Sequence, residues 1–127
     1  MLQRDYILEL VDDFCQTICD PLRRALAGDL DACGDVERQI GDLLELDHRT
    51  ALALAPDSLV TMMVLSGMGD VVASYVGVAL DRLADAYEAA GDDDRAGLRR
   101  LQARAVAESF SLDLSQVPAG LEPALGE

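Results

Sequence analysis

Four groups of side chains in this 127-residue chain have types and spacings that could do chemistry. Cys15 and Cys19 stand four apart, which on a helix puts both thiols on one face, and Cys33 could add a third metal or redox ligand. His48, the one histidine, sits between Asp47 and Arg49, where an imidazole beside a carboxylate could move protons. Arg95, Arg99, Arg100 and Arg104 place four of the ten basic residues on one stretch, a pattern that could hold an anion or an acidic peptide. Met62, Met63 and Met68 lie in or beside the most apolar run, LVTMMVLSG, and flexible thioether side chains adapt to irregular partner surfaces.

Each group also has a plainer reading. The two helical cysteines fall beside Val11 and Ile18, free cysteine is commonly buried, and no C-x-x-C pair is present, so core packing is the stronger reading and no metal is expected. No Gly-x-Ser-x-Gly or phosphate-cradling glycine loop accompanies His48, which therefore reads as a surface residue. The arginine pairs 95/99 and 100/104 would repel each other unless carboxylates face them, and Asp81, Asp85 and Glu88 on the preceding helix are the expected partners. Asp92, Asp93 and Asp94 lack the alternating spacing and distal glutamate of a calcium loop; at a helix start they meet the positive dipole end. The methionines fit a core, but they also make the best case for an interface. A helix apolar all round is hard to cover in a small domain.

The elements that position these residues are read as helices throughout. Alanine and leucine dominate and aromatic content is 4%, which favours helix on propensity. The first amphipathic stretch, 2–19, carries Ile7, Leu10, Val11, Phe14 and Ile18 on one face. Its stripe continues to Leu26, with a kink or very tight break expected at Pro21. A second helix is expected at about 31–46 with Asp31 as its cap and an Arg38–Asp42 pair. A short helix capped by Asp47 would be stopped before Pro56, and a third full helix opens on that proline and covers about 56–67. The central helix, 70–90, has Val72, Val76, Leu80, Leu83, Tyr87 and Ala90 at steps of three and four, and packing against a neighbour on both sides is expected. The last runs from about 93 to 110. Gly-Asp pairs at 28–29, 69–70 and 91–92 read as a helix stop followed by a helix start. The expectation is an all-α fold of five or six helices in antiparallel hairpins: one domain over 1–111, then an irregular tail over 112–127, from which Val117, Leu121 and Leu125 could dock.

The stretch LADAYEAAGDDDRAGLRRLQARAVAESF, with Ala84, Tyr87, Gly91, Asp92 and Ala96, resembles a tetratricopeptide repeat, and ALAGDLDACGDVERQIGDLLELD has the same outline through Gly28, Asp29 and Ala32. The usual tryptophan and the proline after the second helix are missing, and the two units are not 34 residues apart. The resemblance implies an α-α stack with a concave face for a peptide or protein. The opening, with Gln3, Asp5, Tyr6 and Ile7, is similar to a family of uncharacterised bacterial proteins beginning Gln-x-Asp-Tyr-Ile, which carries no activity with it.

Charge narrows the function. The formal net charge is −14 and lysine is absent. Such a surface repels phosphate backbones and anionic membranes, so neither nucleic acid nor membrane is an expected partner. No stretch is apolar enough to span a bilayer, the N-terminus lacks a signal-peptide core, and an odd cysteine count fits a reducing compartment, which makes the cytoplasm the expectation. The leading function is a protein–protein interaction module, not an enzyme and without a cofactor. Its contact residues are Leu59, Met62, Met63 and Met68, and it either binds a protein partner or forms a homodimer through 59–68. The alternatives are a helical protein enclosing a lipid-like molecule in a Leu/Val/Met cavity, and an enzyme in which Asp47 or Glu45 converges on His48.

Overall fold

The structure, a computed structural model, describes residues 4–125, with side chains from Tyr6 onward; Gln3 of the opening segment and Gly126 of the tail lie outside it. Among the described residues there are seven helices and no strand. Five have ten residues or more: α1 (Arg4–Leu26), α2 (Leu30–Leu44), α4 (Pro56–Leu65), α5 (Asp70–Ala89) and α6 (Asp93–Phe110). Two are single turns, α3 (His48–Ala51) and α7 (Glu122–Leu125), and they raise the total above the expected five or six.

Val11, Phe14, Ile18, Leu22 and Ala25 form the buried stripe of α1. The helix continues without a break through Pro21, although proline removes one ladder hydrogen bond. Pro21 and Leu22 are both buried, so the apolar stripe on either side holds the helix to one course. Gly28 then adopts a left-handed φ of 108°, and the Asp29 amide donates back to the Arg24 carbonyl at 3.0 Å. This closes the helix end through a conformation that L side chains disfavour. The cap of α2 is Asp29 rather than Asp31: the Asp29 carboxylate accepts from the Asp31 amide at 3.1 Å. Arg38 reaches back to Asp35 at 3.2 Å and not forward to Asp42.

The same closure recurs at Gly91, where the Asp92 amide donates to the Tyr87 carbonyl and the Asp92 carboxylate caps α6 through the Arg95 amide. At the 69–70 junction the left-handed residue is Gly67; Gly69 is itself the N-cap of α5, and Asp70 begins the helix. Asp47 caps α3 and Pro56 opens α4.

Helix α5 is the centre of the molecule, with twelve buried residues from Val72 to Tyr87. Its most extensive neighbour is α6, and it also packs on α1 and α2. Helix α4, the element before it in sequence, packs instead on α6. The expected pair of neighbours on either side of α5 is therefore α6 and the α1–α2 pair, because the α4–α5 turn carries the chain to a different face. Beyond α6 the chain stays on the body: Leu121 is fully buried, Ala124 nearly so, and α7 packs on α1.

Candidate functional site

The apolar run of helix α4, interrupted only by Thr61 and Ser66, is covered on one side. Two of its ten residues, Leu59 and Met63, are buried. Met68, just beyond, is buried as well. Three of the four residues expected to contact a partner thus belong to the core, and Met62 alone stands at the surface. Leu59 and Met63 are four apart and share the inward face; Met62 is one step off it.

The exposed apolar surface lies elsewhere on the same element. Leu65 is 78% exposed, Val64 56% and Val71 51%, and Met62 extends the patch along α4. Leu65 and Val71 stand with Ile7 of α1 around a cleft of about 590 Å³, floored by the Ser66–Gly69 turn. Nothing in the local sequence separates Leu65 from Met63. Their opposite fates follow from α4 meeting α6 on one side only. Between Arg49 and Arg82 the chain has no basic residue, so the charges that flank this patch in sequence are Asp57 and Asp70.

The arginines of α6 divide. Arg100 meets Asp81 and Asp85 at 2.7 Å each and Glu88 at 3.5 Å, the carboxylates expected from the preceding helix. Hydrogen bonding to Asp85 and Asp81 holds its guanidinium still further toward the charged form. Arg99 turns the other way and pairs with Glu37 of α2 at 2.6 Å. Its Nη1 donates to the Leu52 carbonyl at 2.8 Å and to Gln102 at 3.0 Å. Gln102, fully buried, donates in turn to the carbonyls of Leu52 and Leu54. Tyr87 donates to the same Glu37 oxygen at 3.0 Å, and burial followed by the Glu37 charge pushes its phenol far above the usual range. Arg95 pairs with Asp92 at 3.6 Å and lies over the Tyr87 ring. The roles of Glu37 and Gln102 were not legible in the sequence, because both sit among ordinary helical polar residues.

His48 is half-buried and shares a cleft with Glu37, Arg49, Leu52, Arg95 and Arg99. The carboxylates named for acid–base work with it have other partners. Asp47 accepts from the amide and hydroxyl of Thr50, and Glu45 accepts from the Tyr6 hydroxyl. The position of His48 is set by Gly41: a Cβ there would lie 2.6 Å from the His48 Cβ and 2.8 Å from its Cα, so α2 and α3 approach backbone to backbone.

The cysteines are free thiols. Cys15 and Cys19 face the tail, donating to the carbonyls of Ala119 at 3.7 Å and Gly120 at 3.2 Å; burial pushes both thiols up. The Tyr75 hydroxyl also donates to Ala119. Cys33 lies in the core, and no group of three or more His, Cys, Asp or Glu among the described residues could hold a metal ion. No described helix is long and apolar enough to cross a membrane. No protein-family model, curated protein or solved structure matches this chain.

Proposed function

We propose that this chain is a protein–protein interaction module whose docking face is the outer side of α4 with the α4–α5 turn: Met62, Val64, Leu65 and Val71, beside Ile7. The observation that carries this reading is the exposure of Leu65 and Val71 around one cleft, with Val64 exposed beside them on α4. Clustered exposed apolar side chains cost solubility and are a mark of binding surfaces. The occupant is a segment of another protein that presents apolar side chains flanked by lysine or arginine. Charge complementarity selects it: Asp57 and Asp70 flank the patch in sequence and the whole chain carries −14. A second copy would bring the same acidic flanks and the same net charge to the contact, so the homodimer ranks second. The Gly28 and Gly91 turns, with α1 on α2 and α5 on α6, support a tetratricopeptide-like hairpin geometry; three free thiols support a reducing, cytoplasmic setting.

Selection of a random peptide library on the folded protein tests this. Enriched peptides should combine apolar and basic residues and should lose binding to Leu65→Glu and to Val71→Glu. Peptides that bind both variants as well as the parent would place the docking face elsewhere. A dimer by sedimentation that Leu65→Glu dissolves would favour the second copy.

A further inference from the structure

The cleft beside His48 concentrates positive charge in a chain that is otherwise strongly acidic. Its volume is about 420 Å³, and Arg49, Arg95 and Arg99 stand in its wall against one carboxylate, Glu37. That carboxylate is already engaged: one of its oxygens accepts from Tyr87 and from both Nε and Nη2 of Arg99. Four of the five guanidinium N–H groups of Arg99 have partners within the protein, so Arg99 supplies charge and holds the wall in place.

Arg49 and Arg95 are different. Both are exposed, and Arg49 has no ion pair or hydrogen bond to a side chain among the described residues. Arg95 has a long 3.6 Å pair with Asp92 and a stacking contact with Tyr87, neither of which uses up its donors. The remaining wall is apolar, from Leu52, Ala53 and Leu98.

We propose that this cleft is a binding site for a small organic phosphate, with the phosphoryl oxygens held between Arg49, Arg95 and His48 and the apolar body seated on Ala53 and Leu98. Planar guanidinium groups bind phosphate oxygens through paired, charge-assisted donors. Three arginines against Glu37 and the Asp92 partner of Arg95 leave a net positive charge for an anion. The one constellation suggested by the sequence for an anion was the arginine group of α6; the fold removes Arg100 into its carboxylate cluster and substitutes Arg49 and His48 from α3.

Phenyl phosphate is the probe, and the single imidazole gives one set of ring resonances to follow by NMR at fixed pH. The His48 signals should shift saturably with phenyl phosphate and hardly at all with phenol. The joint variant Arg49→Ala, Arg95→Ala should weaken binding by about tenfold or more, as the loss of charge-assisted hydrogen bonds implies. Arg38→Ala, an exposed arginine on α2 outside the cleft, should leave it unchanged. A shift that does not saturate, or that persists undiminished in the joint variant, would overturn the site. Inorganic phosphate binding as tightly as phenyl phosphate would overturn the seating of an apolar body on Ala53 and Leu98.

Discussion

Arg99 and Glu37 stand 62 residues apart in sequence and 2.6 Å apart in space, with 10% and 16% of their side chains exposed. Their ion pair joins α6 to α2, and the remaining donors of Arg99 and Gln102 collect the carbonyls of Leu52 and Leu54. The α3–α4 connection would otherwise turn those carbonyls into a water-poor interior without partners, a costly arrangement.

Removing one member should therefore be much worse than removing a surface charge. Glu37→Ala leaves Arg99 buried without its carboxylate and should cost about 3–5 kcal/mol. Arg38→Ala, whose pair with Asp35 is exposed, should change stability by less than about 1 kcal/mol. Urea unfolding of the two variants side by side makes the comparison. Equal losses would mean that the buried network is not what holds α3 to α6.

Neighbouring residues of α4 should behave oppositely. Met63→Glu puts a carboxylate at a position 1% exposed and should prevent folding. Leu65→Glu, at 78% exposure, should leave the helical circular dichroism and the melting midpoint close to the parent. An unfolded Leu65→Glu would show that this side chain is covered, and the docking face would lose its centre.

The tail is predicted to be held by one residue without a side chain. Gly120 has a φ of 98°, and a Cβ there would come 2.7 Å from the Cys15 Sγ. Gly120→Ala should destabilise the protein by about 1–3 kcal/mol. It should also speed labelling of Cys15 and Cys19, whose thiols donate to carbonyls at 119 and 120. Labelling rates equal to those of the parent would mean that the tail does not cover these thiols.

Alkaline pH should weaken the fold through Cys33. Burial, and after it the charge of Glu37, pushes this thiol from about 9.0 up to about 11. The neutral thiol is the form that the folded state favours. Its contribution to stability is whole below pH 9, where an unfolded thiol stays protonated, and is lost as pH climbs toward 11. The urea midpoint of the parent should fall more steeply between about pH 8.5 and 11 than that of Cys33→Ala. Parallel slopes would contradict the burial of this thiol.

What the sequence alone determined is local. Gly28 and Gly91 stop helices because a left-handed residue closes the last turn; Asp47 and Asp92 start them because a carboxylate meets free amides; Pro56 opens α4 because its missing donor is not needed there. The Arg100 cluster was legible for the same reason, since its acids lie on the helix just before it. Each of these interactions spans a few residues or one turn between helices.

Tertiary structure alone decided which helix each face would meet. The apolar run 59–68 contains no mark that distinguishes Met63 from Leu65, and the distinction arose when α4 packed on α6 and left its other side uncovered. Arg99 passed over the carboxylates nearest in sequence for Glu37, because its position on α6 points toward α2. The residues 112–127 read as an irregular tail from which Leu121 could dock, and Leu121 is fully buried; what only the fold supplied is the surface it meets, where the backbone carbonyls at 119 and 120 accept from Tyr75, Cys15 and Cys19. Periodicity tells which residues share a face; the identity of the opposing surface depends on long-range packing that no local pattern encodes.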